Sequence, residues 1–137
     1  HVQGGYDYSS NCHVHTFPDG LDAEILTYQS LKTIYQQAQT PAEHEHVTYY
    51  VHQHKTDFNI GILSRTPSLA QLRWTVDEPA DFELVKRIYE RLYPLNPNFS
   101  TNDILSLIER EPELATLNTH HQRNEGLARS LAKESNP

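Results

Sequence analysis

One stretch near the middle of the chain limits the fold more than any other. Residues 72–76 (LRWTV) form a short, largely apolar run, which predicts a strand. After an acidic turn, residues 79–93 (PADFELVKRIYERLY) have apolar side chains at helical spacing and a proline at the start, which predicts a helix. A strand, a turn and a helix in this order indicate an α/β layered fold. We expect the buried stripe of this helix to consist of Phe82, Val85, Ile88, Tyr89 and Leu92.

The rest of the chain alternates between the same two kinds of segment. Short runs with partial alternation predict further strands at residues 6–11, 23–28 and 58–64. Helical spacing predicts helices at residues 27–39, 41–54, 100–114 and 124–135. For residues 41–54, the β-branched and tyrosine side chains leave a strand as the alternative. We therefore expect one α/β domain over residues 1–137, with an incomplete mixed sheet flanked by helices.

The charge and the apolar pattern exclude several classes of protein. The net charge is −7, from 18 acidic and 11 basic residues, and no basic cluster is present. This balance argues against a nucleic-acid partner and against binding to an anionic membrane surface. The longest apolar runs are only a few residues, so we expect neither a signal peptide nor a membrane span. Cys12 is the single cysteine, which fits a reducing compartment, and we expect a cytoplasmic protein.

The acidic turn between the predicted strand and helix has two interpretations. Asp77, Glu78 and Asp81 follow the strand, at the edge where open α/β sheets bind ligands. A carboxylate at this edge suits Mg²⁺, which is held by one or two carboxylates together with substrate phosphates. Alternatively, Asp77 or Glu78 satisfies the open N–H groups at the start of the helix. Spacing alone favours the cap.

A second acidic turn lies near the start of the chain. The sequence PDGLDAE (residues 18–24) combines a Pro-Asp-Gly turn signal with the carboxylates Asp19, Asp22 and Glu24. Carboxylates held by a rigid turn can bind sugar hydroxyls. Solvated acids on an ordinary turn are the alternative, and the pattern alone favours them.

Histidines occur in three His-x-His pairs, at residues 13/15, 44/46 and 52/54. Residues two apart share a face on a strand but diverge on a helix, and two of the pairs lie in a predicted helix. The chain has neither a Cys-x-x-Cys nor a His-Glu-x-x-His motif. A His-rich protein that binds a transition metal is therefore the weakest of the alternatives.

Several segments, in this order, resemble the cytidylyltransferase family. The segments are GGYDYSSN, TFPDGLDAEIL, EHEHVTYYVHQH, FNIGIL, LRWTVDEPADFELVKRIYERLY and HHQRNEG. The nearest branch is the one named after spore-coat polysaccharide biosynthesis, which is related to CMP-sugar synthetases. The resemblance implies a Rossmann-like nucleotidyltransferase fold. It also implies transfer of CMP from CTP to an acidic sugar, with Mg²⁺ as cofactor and pyrophosphate as the leaving group.

The resemblance also implies roles for individual residues. In related synthetases the aspartate that opens the V-D-x-P-x-D turn is a metal ligand, which corresponds to Asp77. The PDG-x-D-x-E and EHVT motifs lie on the side of the sugar. They imply substrate binding by Asp22, Glu24, Glu45 and His46, and less firmly by Asp19. Arg123 and Asn124 match the motif near the end of the chain, to which no role is attached.

The chain departs from the family pattern in one large respect. The glycine- and basic-rich loop that binds CTP, and a second metal-binding acid, belong to the N-terminal half of the family. Neither is found in this sequence, which begins with His1 and contains no methionine. We therefore expect a C-terminal half that by itself neither binds CTP tightly nor turns over. The alternative to an enzyme part is a non-catalytic module that keeps the fold and serves in interaction or dimerisation. Such a module could form a homodimer.

Overall fold

The computed structural model describes residues 1–135, which fall into two compact units. Unit 1 contains His1–Thr16, Asp22–Pro67 and the segment that begins at Arg123. Unit 2 contains Phe17–Leu21 and Ser68–Gln122. The assignment of residues 1–137 to one domain stays a prediction.

Unit 1 is built on a three-stranded mixed sheet. Strand β1 (Tyr8–Ser10) lies in the middle, antiparallel to β2 (Glu24–Leu26) and parallel to β3 (Ile60–Ile62). All three strands lie within the segments predicted as strands, but each has only three residues. The α/β fold with a small mixed sheet is thus confirmed.

Helices cover one face of this sheet. Tyr8 is paired with Leu26 and with Ile60, and these side chains pack against α1 (Tyr28–Gln37) and α3 (Tyr49–Gln53). The core residues from the helices are Ile34, Tyr50 and Val51. Thr27 caps α1, because its hydroxyl accepts a hydrogen bond from the N–H of Ser30 at 3.0 Å.

The helix predicted over residues 41–54 is broken into two. Helix α2 (Pro41–Glu45) begins with a capping box, in which the Thr40 and Glu43 side chains each bind the other's backbone N–H. It ends at His46, whose ψ of 74° is not helical. Because Val47 and Thr48 are β-branched and fit a helix poorly, α3 starts only after them.

Unit 2 is a small helical cluster. It contains α4 (Pro79–Leu92), α5 (Thr101–Arg110) and a 3₁₀ turn (Pro112–Thr116). The helix predicted over residues 100–114 stops before Pro112, which cannot continue it. Side chains from all three elements form the core: Leu84, Ile88, Leu92, Leu107 and Leu114.

The predicted buried stripe of α4 is wrong in part. Phe82 and Tyr89 are 60% and 51% exposed, whereas Asp81 and Leu84 are buried together with Ile88 and Leu92. The cause is Asp81, which is fully buried and bound by Arg73. This contact sets the rotation of the helix, so that residues 81, 84, 88 and 92 face inward.

The strand predicted over residues 72–76 is also wrong. The chain makes only one parallel bridge here, between Asp19 and Arg73. The Asp19 N–H donates to Leu72 O at 2.9 Å, and the Trp74 N–H donates to Asp19 O at 2.7 Å. Gly20 then turns the chain away with φ of +95°, and a Cβ there would lie 2.6 Å from the Trp74 carbonyl carbon.

The last helix, α6 (Glu125–Ser135), belongs to unit 1 and packs against α2. The Glu134 carboxylate accepts a hydrogen bond from the N–H of Ala42 at 2.6 Å, at the start of α2. Within residues 1–135, no helix is both long and apolar enough to cross a membrane.

Candidate substrate cleft and the Arg73 network

A cleft of about 330 Å³ lies in unit 1. Its lining comes from four stretches that are distant in sequence: residues 12–15, 22–24, 46–52 and the start of α6. Three of the residues singled out by the sequence, Asp22, Glu24 and His46, are brought together here. The volume lies at the lower end of the range for small-molecule pockets.

Glu24 is oriented by two hydroxyl groups. The Tyr8 hydroxyl donates to its Oε1 atom, and the Thr48 hydroxyl donates to Oε2 at 3.1 Å. Tyr8 is fully buried, and this burial, together with the bond to Glu24, raises the pKa of its hydroxyl far above the usual range. The phenol therefore stays protonated and acts as a fixed donor to the carboxylate.

Asp22 lies beside a cation from the start of α6. The Arg123 Nη1 atom is 3.4 Å from Asp22 Oδ1 and 2.8 Å from His15 Nδ1. Because an arginine only donates, His15 accepts through Nδ1 and carries its proton on Nε2. The next residue, Asn124, has φ of 60° and lines the cleft where α6 begins. The sequence resemblance identified both tail residues without giving them a role.

Two further histidines line the cleft and were not singled out as binding residues. The rings of His13 and His52 stack with centroids 5.2 Å apart. Burial is the main cause that lowers the pKa of both rings. The positive charge of Lys55 lowers the pKa of His13 further, and His13 lowers that of His52. Both rings are therefore neutral near pH 7, when each can donate and accept one hydrogen bond. The His13 Nδ1 atom is buried and has no hydrogen-bond partner among the described residues.

The two His-x-His pairs in the segment predicted as a helix, 44/46 and 52/54, divide as expected for a helix, whereas His13 and His15 both line the cleft. His52 lines the cleft, whereas His54 stacks on Tyr50 with ring centroids 4.1 Å apart. His46 also lines the cleft, and His44 is exposed. In the described part of the cleft, no three candidate ligand atoms lie within 4.8 Å of one another. The cleft thus gives no support to the transition-metal alternative.

Glu45 lies next to the cleft residue His46. Its Oε2 atom accepts a hydrogen bond from the Ser130 hydroxyl at 3.0 Å, and its side chain is 66% exposed. The same hydroxyl is 3.1 Å from His46 Nε2. Ser130 was not identified from the sequence, because its partners are more than eighty residues away along the chain.

Asp19 belongs to unit 2, where it is engaged by Arg73. The Arg73 Nη1 atom donates to Asp19 Oδ2 at 3.1 Å, and the residue is only 8% exposed. Asp19 does not line the cleft of unit 1. Its substrate-binding role stays a prediction, and its contacts indicate a structural one.

Asp81 is the centre of the same network. The Arg73 guanidinium binds both of its oxygens, at 3.0 and 2.9 Å, and Thr75 and Asn118 donate at 2.6 and 2.8 Å. The N–H groups of Asp77 and Glu78 also donate to Asp81. Burial alone would raise the pKa of Asp81, but these bonds outweigh it and hold the pKa far below the usual range. Glu78 is the N-cap residue of α4 and forms a capping box with Asp81, so the cap interpretation holds for Glu78 and not for Asp77.

The Asp77 side chain is left facing solvent. It is 74% exposed, and its Oδ2 atom is 3.6 Å from Arg73 Nη2. An exposed carboxylate of this kind fits Mg²⁺ as one ligand, with the others coming from phosphate oxygens and water. The metal role of Asp77 stays a prediction, and the cap interpretation applies to its neighbour Glu78.

Comparison with known proteins finds two relatives, each of which this chain matches over about half of the relative's length. No family model matches the chain. The spore coat polysaccharide biosynthesis protein SpsF of Bacillus subtilis is 29% identical over 122 residues, which are 85% of this chain and 48% of SpsF. An uncharacterized protein of Methanocaldococcus jannaschii is 22% identical over 121 residues, which are 87% of this chain and 48% of that protein.

A solved structure gives the same result for the fold. A cytidylyltransferase from Leptospira borgpetersenii matches with a TM-score of 0.76 and 27% identity, covering 82% of this chain and 47% of that structure. The resemblance to cytidylyltransferases is thus confirmed, as is the incomplete α/β fold. The chain spans about half the length of the relatives that it matches.

Proposed function

We propose that this chain forms the sugar-binding and metal-binding part of a cytidylyltransferase. The complete enzyme would transfer CMP from CTP to an acidic sugar used in a surface polysaccharide. The similarity to SpsF and to a solved cytidylyltransferase supports this class of reaction. Because the chain covers half of these relatives, we expect the isolated chain to lack CMP transfer and tight CTP binding.

One observation carries the assignment of the sugar site. Asp22, Glu24 and His46 come from two motifs about twenty residues apart, yet they line the same cleft. Glu24 and Asp22 supply carboxylate oxygens that accept hydrogen bonds from sugar hydroxyls. Arg123, which is paired with Asp22 beside the cleft, is the cation to which we assign the acidic group of the sugar.

The proposed reaction needs alignment and charge neutralisation more than covalent help. A sugar hydroxyl oxygen forms a bond to the α-phosphorus of CTP, the bond to pyrophosphate breaks, and the hydroxyl proton is released. The carboxylates of the cleft would orient the attacking hydroxyl, and the neutral rings of His13 and His52 are acceptors for a proton. Asp77 would hold Mg²⁺, whose charge would offset that of the triphosphate.

The proposal is tested by titrating sugars into the ¹⁵N-labelled chain and following amide shifts. Acidic sugars of the 2-keto-3-deoxy and uronic types are compared with neutral hexoses. We expect saturable shifts in residues 12–15, 22–24 and 46–52 with an acidic sugar only. Glu24→Gln should weaken the affinity about tenfold, because it removes a charged acceptor.

Glu90→Gln, on an exposed face of α4, is the matched control and should leave the affinity unchanged. Equal affinities for Glu24→Gln and the wild type would contradict the sugar site. CMP transfer from CTP by the isolated chain would contradict the expectation of a half-enzyme.

A second candidate function is a non-catalytic interaction or homodimer module, which the surface of unit 2 supports. Phe82, Tyr89, Tyr93 and Leu95 are all more than half exposed, and Tyr89 stacks on Tyr93. Exposed aromatic side chains in such a group are typical of interaction surfaces. Sedimentation of the wild type and of Tyr93→Ser distinguishes the two candidates. A dimer that Tyr93→Ser dissociates supports the module, and a monomer at all concentrations contradicts it.

A further inference from the structure

Ser130 connects the last helix to the cleft. It lies on α6 (Glu125–Ser135), which packs against α2 (Pro41–Glu45). Its hydroxyl oxygen is 3.1 Å from His46 Nε2, 3.0 Å from Glu45 Oε2 and 3.2 Å from the carbonyl oxygen of Gly126. A single hydroxyl thus meets three polar atoms of unit 1.

The hydrogen-bonding capacity of these atoms fixes the direction of each bond. The Glu45 carboxylate and the Gly126 carbonyl are acceptors only, so the one hydroxyl proton of Ser130 is directed towards them. The Ser130 oxygen must then accept from His46, which places a proton on His46 Nε2. In the neutral ring, the other nitrogen, Nδ1, is left as a hydrogen-bond acceptor.

This tautomer determines which ligand group His46 can bind. His46 lines the cleft, and in the Nε2–H form its remaining acceptor is the Nδ1 lone pair, which attracts a hydroxyl hydrogen. A carboxylate has no hydrogen to give and would meet this lone pair unfavourably. The His46 position thus suits a hydroxyl of the substrate, and the acidic group must bind elsewhere in the cleft.

We propose that Ser130 is a positioning residue, which holds His46 in the Nε2–H form so that it accepts a hydrogen bond from a substrate hydroxyl. This inference rests on the proposed sugar site. It adds to that site a residue outside the recognised motifs and assigns one chemical group of the substrate to one side chain.

The tautomer is tested by NMR of the intact chain with ¹⁵N-labelled imidazoles, without any ligand. The His46 signals are those lost in His46→Gln. In the wild type at pH 8 we expect a protonated Nε2, with an observable and slowly exchanging Hε2 proton. Ser130→Ala should lose this proton signal by fast exchange with water, and Ser130→Thr should restore it, since the hydroxyl is retained.

Ser106→Ala, at an exposed position on α5, is the matched control and should leave the His46 signals unchanged. A merely structural contribution of Ser130 would alter helix content or thermal stability without selectively removing the Hε2 signal. An unprotonated Nε2 in the wild type, or a slowly exchanging Hε2 that persists in Ser130→Ala, would overturn the proposal.

Binding separates this inference from the proposed function. Ser130→Ala should lower the affinity for the acidic sugar about five- to tenfold, as expected when one hydrogen bond is poorly oriented. If the sugar binds with the wild-type affinity to Ser130→Ala but weakly to Glu24→Gln, the positioning role fails and the sugar site stands. If no sugar binds to the wild type, the proposed function fails and the assignment of a substrate hydroxyl fails with it.

Discussion

The Arg73 network of unit 2 and the acidic side chains at the cleft of unit 1 differ in how many of their carboxylate oxygens already have hydrogen-bond partners. In unit 2, the Asp81 side chain is 0% exposed and accepts hydrogen bonds from Arg73, Thr75, Asn118 and two backbone N–H groups. In unit 1, Asp22 is 35% exposed on its side chain, and Glu24 is held by two neutral hydroxyls beside an open cleft.

The difference teaches how to separate a structural carboxylate from a binding one. A buried carboxylate whose oxygens are all engaged can only stabilise the fold, because any ligand would have to displace strong partners. A carboxylate with remaining capacity at a cleft can accept a ligand at little cost. By this criterion the Arg73 network stabilises unit 2, and the cleft of unit 1 is the candidate for ligand binding.

The largest test of the comparison is removal of the Asp81 carboxylate. We expect Asp81→Ala to lower the free energy of unfolding by about 3–5 kcal/mol, because Arg73 would keep its charge in a buried position with one carboxylate partner fewer. Urea denaturation followed by circular dichroism measures the change. Asp77→Ala, the exposed neighbour, is the control and should change stability by less than about 0.5 kcal/mol. Equal losses in both variants would remove the distinction.

A backbone change at the entry of unit 2 should have the next largest effect. Gly20→Ala forces a side chain into a left-handed conformation with its Cβ against the Trp74 backbone, so we expect a loss of about 1–3 kcal/mol. Gly126→Ala, in α6, has no atom within 4 Å of the added Cβ and should be neutral or slightly stabilising. Thermal unfolding of both variants gives the comparison, and a larger loss for Gly126→Ala would contradict it.

The stability of the protein should depend on pH through the Asp81 carboxylate. The pKa of Asp81 is lower in the folded chain than in the unfolded one, so its stabilising contribution is complete above the unfolded value of about 4. The contribution is lost as the pH falls below that value towards the folded pKa. We expect urea denaturation at pH 7, 4 and 3 to show falling stability in the wild type. The decrease should be smaller in Asp81→Asn, and parallel curves would contradict the assignment.

The smallest expected effect concerns the donor behind the cleft. Tyr8→Phe removes the hydroxyl that holds Glu24, at a cost of about 1 kcal/mol in stability. Because Glu24 then loses its fixed orientation, the affinity for an acidic sugar should also fall, as measured by calorimetry. Tyr35→Phe, at an exposed position on α1, should change neither quantity. An unchanged sugar affinity in Tyr8→Phe would show that the cleft does not depend on this donor.

Local patterns predicted the elements that depend on local chemistry. The strands around Tyr8 and Ile60 and the helix after Pro79 lie where alternation and capping signals placed them. The resemblance identified Asp22, Glu24 and His46, which the fold brings into one cleft.

Local sequence patterns could not predict the contacts between residues that are distant along the chain. Arg73 binds Asp19, 54 residues away, and Asn118 binds Asp81, 37 residues away. Because of these contacts, residues 72–76 do not form the predicted strand, and α4 is rotated so that Asp81 lies in the core. The polarity of Asp81 had predicted an exposed position. A lone arginine within the apolar run LRWTV, with aspartates nearby, was the one available signal of a buried ion pair.

The contact between Arg123 and the cleft has a consequence for the order in which the protein is made. His15 and Arg123 are 108 residues apart, and His46 and Ser130 are 84 apart. A chain emerging from the ribosome carries both acidic side chains of the cleft early, long before the arginine and the serine that complete it. Unit 2 is therefore synthesised in full before the residues that complete the cleft of unit 1, and the cleft can be assembled only once the chain from Arg123 to Ser130 has been made.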